Sequence, residues 1–180
     1  MVKSVRDRNP INLRPFKYPF YLGQTSVDTD GEAIFDSFLS GIRAGVMDLN
    51  IKIDSNKLDT INKIIPVFAP SSDNNDVTAY INFVSKDTGF APGQKLISDD
   101  QTIFALFKAM AKMEMGTADF YKYITDQDIY NGIDYYATNE IPQRVYTTIN
   151  TVIPGGDPML NKIIFFSGLY LFTRKFIKFG

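Results

Sequence analysis

Four stretches of this chain place apolar residues at steps of three and four, and that spacing decides most of what it can fold into. Residues three or four apart share one face of an α-helix, whereas a strand repeats every second residue. From Asp36, read as an N-cap, the series runs Phe38, Ile42, Val46, Leu49 and Ile53. Leu58, Ile61, Ile64, Ile65 and Phe68 predict a shorter helix stopped near Pro66 and Pro70. Asp76 caps a third, carrying Val77, Tyr80, Ile81 and Val84 and ending at Gly89. The strongest opens at Ser98-Asp99 and closes at Gly116, with Ile103, Phe107 and Met110 as its stripe and Leu106 and Met113 alongside. A tyrosine-rich region, 117–150, holds one more helix after Asp126. The expected fold class is all-α.

Residue types that are missing narrow the chemistry. The 180 residues include no cysteine and no histidine. Thiolate or imidazole metal sites, disulfides and histidine-based nucleophile triads are therefore excluded, and neither a metal nor a cofactor is expected. Any proton transfer falls to carboxylates, lysine or tyrosine.

One carboxylate stands out. The step after Ile103, Phe107 and Met110 is Glu114, at the end of a face that otherwise points into the core. Desolvation and the negative end of the helix dipole both favour its protonated form. A carboxylic acid held protonated near neutrality suits a general acid at a glycosidic oxygen. The bland counterpart is a surface glutamate paired with Lys108 or Lys112. Glu32 is the candidate helper, with Asp36 next.

Other constellations are weaker. "DTDGE" (28–32) has the opening of a calcium loop without its remaining ligands and reads as a solvated turn. "SSDNND" (71–76) reads as a helix-capping loop. Tyr121, Tyr123, Tyr130, Tyr135, Tyr136 and Tyr146 fit sugar stacking or, at helical spacing, a core.

Charge is distributed in blocks. Residues 1–17 carry five cationic side chains against Asp7, and 159–180 carry four with no acid, while 18–158 hold ten basic against nineteen acidic. An acidic body repels phosphate-rich polymers, so no nucleic acid is expected as a partner. The opening "MVKSVRDRNPIN" has no apolar run behind its charges and does not read as a secretory signal.

Composition divides the chain into an irregular arm (1–35), a helical domain (36–152), a Pro/Gly linker "IPGGDP" (153–158) and a hydrophobic helix (159–180). The last has Ile163, Ile164, Phe165, Phe166, Leu169, Tyr170, Leu171 and Phe172 at its centre and Arg174 and Lys175 beyond them. As a helix, 159–179 reaches about 31 Å, close to a bilayer's hydrocarbon thickness of ~30 Å. Its polar residues scatter around the wheel, which suits insertion into lipid or burial on another chain better than lying flat on a surface. These ten side chains are the expected membrane contacts, and the flanking cations suit anionic headgroups.

Several strings in order, "RNPINLRPF" (8–16), "FDSFLSGIRA" (35–44), "FAPSSDNNDVTAYINFVSKDTGF" (68–90) and "MEMG" (113–116), carry a resemblance. They resemble a family of phage and prophage virion proteins with N-P-x-N-[IL]-R and F-D-S-x-x-x-G-I-R-A motifs. The resemblance covers residues 6–118 and implies a lysozyme-like or lytic-transglycosylase-like helical domain carried by a virus particle. It maps the family's glutamate onto Glu114, as general acid/base. The family's flanking His and Asn are Met113 and Met115 here, and its Trp is Phe68.

The expectation is then a virion-associated, membrane-tethered, lysozyme-like protein that cleaves peptidoglycan glycan strands by a single-acid transglycosylase route during phage entry or exit. The alternative is a non-enzymatic minor capsid or membrane-linking protein that keeps the fold only. Phage capsid proteins, a lipid membrane and peptidoglycan are the expected partners, within a multi-copy assembly. The expected location is the virion, at a viral membrane, or the host envelope during entry.

Overall fold

The computed structural model describes residues 1–15 and 21–138. The 159–180 segment, with the ten residues expected to contact a membrane, the 153–158 linker and Tyr146 lie outside the described residues. Among the described residues no helix is long and apolar enough to cross a membrane.

The fold is mostly helical, built around helix α2 (Phe38–Asn50). Its cap is Ser37, whose hydroxyl accepts from the Ser40 amide at 3.2 Å, one residue beyond the expected Asp36. Asp36 instead accepts from the Ser37 hydroxyl and stays exposed. Ile42, Val46 and Leu49 are fully buried, as their spacing predicts. At Ile51–Ser55 the backbone widens into one π-helical turn, which keeps Ile53 inside and places Lys52 toward a neighbouring cleft.

Helix α3 (Ile61–Phe68) runs through Pro66 instead of stopping there. Pro66 sits in the last turn, where its missing N–H removes a single helical bond, and Pro70 follows the end at Ala69. A single 3-10 turn, Ser71–Asp73, leads to α4 (Val77–Thr88), capped by Asp76 and closed by Gly89 at φ 77°. Helix α5 (Asp100–Met115) is capped by Asp99, which accepts from the Thr102 amide at 2.7 Å. Ile103, Leu106, Phe107 and Met110 are buried, but Met113 is 39% exposed and off the stripe. It follows Met110 by three residues, and α5 turns that edge to solvent. Helices α6 (Thr117–Tyr123) and α7 (Asp126–Thr138) complete the body. Helix α2 packs on α7 and α5, α4 packs on α3 and α5, and α6 packs on α5.

Helix packing is closest where glycine removes a side chain. A Cβ on Gly45 of α2 would lie 2.5 Å from the Phe107 ring and 2.9 Å from Ile11. That glycine lets α2 and α5 approach each other.

The stretch expected as an irregular arm, 1–35, carries regular elements within its described residues, 1–15 and 21–35. They hold a four-residue helix, α1 (Lys3–Arg6), and an antiparallel hairpin of β1 (Gln24–Val27) and β2 (Ala33–Phe35), which adds a small sheet to the expected all-α body. The chain before the hairpin bonds to the other side of β2: Ala33 N–H to Leu13 O at 2.8 Å and Phe35 N–H to Asp7 O at 2.9 Å. Val5, Ile11, Leu13, Ala33 and Phe35 all enter the core. The described residues fall within one compact unit, Met1–Gln143.

Candidate functional site

Glu114 and Glu32, far apart in sequence, line one cleft of about 370 Å³. Asn12, Leu13 and Arg14 form its N-terminal wall, Asp48 and Lys52 a second, and 67–75 the rim. Helix α5 delivers Glu114 from its last turn, and the hairpin turn delivers Glu32.

Burial is the main cause that raises the Glu114 carboxyl above its ordinary value, as its place on the stripe implies. Three groups oppose this: Tyr80, the Asn12 amide, whose Nδ2 donates to Oε2 at 2.7 Å, and the more distant charge of Lys3. The Tyr80 hydroxyl, 3% exposed as a residue, faces Glu114 and acts on it by charge and by hydrogen bonding. Burial first, then the Glu114 charge and hydrogen bond, hold the Tyr80 phenol well above its usual range. Lys108 and Lys112 are engaged elsewhere, with Asp126 at 2.6 Å and Asp87 at 2.9 Å.

Glu32 is likewise raised, first by burial and then by Asp28 and Glu114, against the pull of Lys3. The Glu32 carboxyl therefore senses the Glu114 charge. Glu32 Oε1 lies 3.1 Å from Lys3 Nζ, while Oε2 is buried without a hydrogen-bond partner.

The "DTDGE" turn is exposed at Thr29, Asp30 and Gly31, as a solvated turn should be, but its carboxylates are bonded within the chain. Asp28 Oδ1 accepts from the Asp30 and Glu32 amides at 2.9 and 2.8 Å, and Gly31 turns the chain at φ 83°. Carboxylates of Asp28, Asp30 and Glu32 stand 3.0, 2.7 and 3.1 Å from Lys3 Nζ. A side-chain ammonium thus occupies the position a bound cation takes in a loop of that pattern. Burial acts to lower the Lys3 ammonium's proton affinity, and the three carboxylates outweigh it and raise it.

Two further ion pairs shape the cleft. Lys52 Nζ meets both oxygens of Asp48 at 2.6 Å, one helical turn away and buried, with the Phe68 ring 5.8 Å beneath the ammonium. At the rim, Arg14 donates to Asp73 at 2.7 Å, joining the N-terminal wall to the 3-10 turn. Each charged residue on the lining except Glu114 has an opposite charge beside it.

The sequence of this chain is similar to that of a phage protein. Over 118 residues the chain is 33% identical to Protein P5 of Pseudoalteromonas phage PM2, covering 64% of this chain and 72% of P5. The chain belongs to the Protein P5 family. No protein-family model matches it.

Within this P5-family chain, the helical stripe singled out Glu114, and Glu32, named only as a candidate helper, lines the same cleft. Asp36 stands on the surface, away from the cleft lining. Tyr135 is buried, with the Arg43 guanidinium 5.1 Å from its ring. Tyr130 stacks on Phe104 at 4.6 Å, and Tyr121 and Tyr123 are exposed. These tyrosines lie off the cleft lining. Asn12, Asp48, Lys52 and Lys3 were missed. The Asp48–Lys52 spacing of four was the readable signal, since such residues meet on a helix.

Proposed function

We propose that this chain is a structural component of a bacteriophage particle, present in many copies beside capsid proteins and tied to lipid by its 159–180 segment. What carries this is the 33% identity to a phage protein over 118 residues of the chain. Support for the lipid tie is the sequence itself: eight apolar side chains among the ten positions 163–172, flanked by Lys162, Arg174 and Lys175. Two measurements test the reading. Antibody to the chain should label purified particles, and detergent should release it with the lipid fraction. Full-length protein should float with anionic liposomes, and Phe165→Asp together with Leu169→Asp should abolish flotation. Flotation unchanged by both substitutions rejects the lipid role.

A second reading rests on one observation: Glu114, the cleft carboxyl with no cation beside it, raised by burial, shares its cleft with Glu32. In that reading the body is lysozyme-like and acts on peptidoglycan. Glu114 gives its proton to the bridging oxygen as the glycosidic bond breaks, and the sugar's own hydroxyl closes the ring, returning a proton to Glu114. Glu32 tunes the charge around it. Clearing of peptidoglycan by wild type, absent in Glu114→Gln, supports the enzyme. Folded wild type that clears nothing leaves the non-enzymatic component.

A further inference from the structure

The stretch "NPIN" (9–12) gained no role from spacing, yet it makes a more elaborate turn than a connection needs. Asn9, 1% exposed, donates from Nδ2 to Leu13 O and Ala33 O, both at 2.9 Å, and accepts at Oδ1 from Leu13 N–H at 2.8 Å. Asn12 N–H closes the turn on Asn9 O at 3.0 Å. With the backbone already satisfied, the Asn12 side chain is not needed to hold the turn. Asn12 nonetheless adopts φ 51°, a left-handed conformation unfavourable for most side chains. Its Oδ1 is buried without a partner among the described residues. Against those two costs stands a single bond, Nδ2 to Glu114 Oε2 at 2.7 Å, across 102 positions of sequence. Backbone strain and unmet buried groups gather at sites where function requires them.

We propose that Asn12 is the positioning residue of the cleft: the Asn9-stapled turn exists to hold its amide on Glu114 Oε2, so that proton exchange runs through Oε1. The catalytic part of this rests on the glycan-cleaving reading, while the positioning part does not. A donor on a carboxylate oxygen stabilises the ionised form, so the amide opposes what burial does to Glu114.

The test separates the two parts. The chain has three glutamates, Glu32, Glu114 and Glu140, so carbon-labelled glutamate gives few carboxyl signals, and Glu114→Gln assigns the one of interest. In full-length protein, Asn12→Gly removes the amide while keeping a residue at ease at positive φ. Its Glu114 titration midpoint should move up with unchanged thermal stability or a gain. Asn12→Asp, the same shape without the donor and with a like charge, should move it further up. Asn12→Ser, whose shorter hydroxyl can donate, should fall between wild type and Asn12→Gly. A Glu114 midpoint unmoved in folded Asn12→Gly and Asn12→Asp overturns the proposal. Should wild type clear peptidoglycan, the acid–base limb of its pH profile shifts upward in Asn12→Gly. Should it clear nothing, the catalytic reading fails and the titration alone still decides the positioning role.

Discussion

Asp48 and Lys52 form a buried ion pair in which one ammonium reaches both carboxylate oxygens at 2.6 Å, with side chains only 3% and 11% exposed. Such a pair adds little over well-packed apolar residues, but removing one member strands the other. Asp48→Ala should therefore cost about 3 kcal/mol in urea unfolding, in the range for breaking a buried pair. The double variant Asp48→Leu with Lys52→Met should recover most of that loss. A single variant as stable as wild type would show that water already reaches the pair.

Gly45 makes the second prediction, because a methyl there has nowhere to go. Its Cβ would stand 2.5 Å from the Phe107 ring, which is fully buried, and 2.9 Å from Ile11. Helix propensity favours alanine over glycine by roughly 1 kcal/mol. Overpacking in a filled core costs about 1–3 kcal/mol and should win, so Gly45→Ala lowers the melting temperature. A rise would mean that α2 and α5 separate freely.

The helices were legible because their cause is local. Caps at Asp76 and Asp99 and the glycine stop at Gly89 are chemistry between residues a few positions apart. Residues 1–35 defeated the same reading because Asn, Pro, Asp and Gly mark loops in general, while here Asn9 does the work of backbone bonding. Glu114 was found through its stripe, and its partner Asn12 could not be, since nothing local links positions 102 residues apart. Lys3 shows the same limit: "DTDGE" read as a solvated turn, and nothing local says that Lys3 joins its carboxylates from more than twenty positions away.

Glu114 yields a pH prediction whose sign can be worked out. Its folded value is raised, chiefly by burial, so the native state binds more protons than the unfolded chain just above pH 4.5. Stability contributed by this group is full below that ordinary value and declines as pH rises toward the raised one. Glu114→Gln keeps an oxygen for the Asn12 amide and removes the buried charge. The variant should be more stable than wild type at neutral pH, with the difference vanishing below about pH 4. Denaturant midpoints at pH 4 and 7 check this, and equal differences at both would refute it.

Arg14 and Asp73 provide a contrast on the rim of the same cleft. Their side chains are 57% and 34% exposed, so water and salt screen the pair. Exposed pairs contribute about 0–1 kcal/mol, and Arg14→Ala should change unfolding free energy by less than about 0.5 kcal/mol. A larger loss would indicate that the wall and the 3-10 turn depend on this contact to stay together.

Lys3 should behave quite differently, although its ammonium is also partly exposed at 26%. Its three carboxylates include Asp28 and Glu32, with side chains 4% and 14% exposed, and only Asp28 has a second cation, Arg6 at 3.3 Å. Burial pushes the Asp28 carboxyl up, but the Glu32 and Asp30 amides and Lys3 outweigh it and hold it low. A depressed carboxylate stabilises the fold above its unfolded value, and the benefit fades as pH falls through the folded one. Lys3→Met keeps the stem and removes the charge, leaving three negative groups facing one another. It should cost about 2 kcal/mol at pH 7, below the full cost of breaking a buried pair because the ammonium is partly hydrated. The deficit should shrink below about pH 4, as the freed carboxylates take up protons in the variant's native state. Since α1 and the hairpin hold Asn12 and Glu32 in the cleft, the same substitution should speed amide exchange in residues 3–13 and 24–35 ahead of α2 and α5. Uniform exchange across both regions would show that the acidic turn holds its shape without its ammonium.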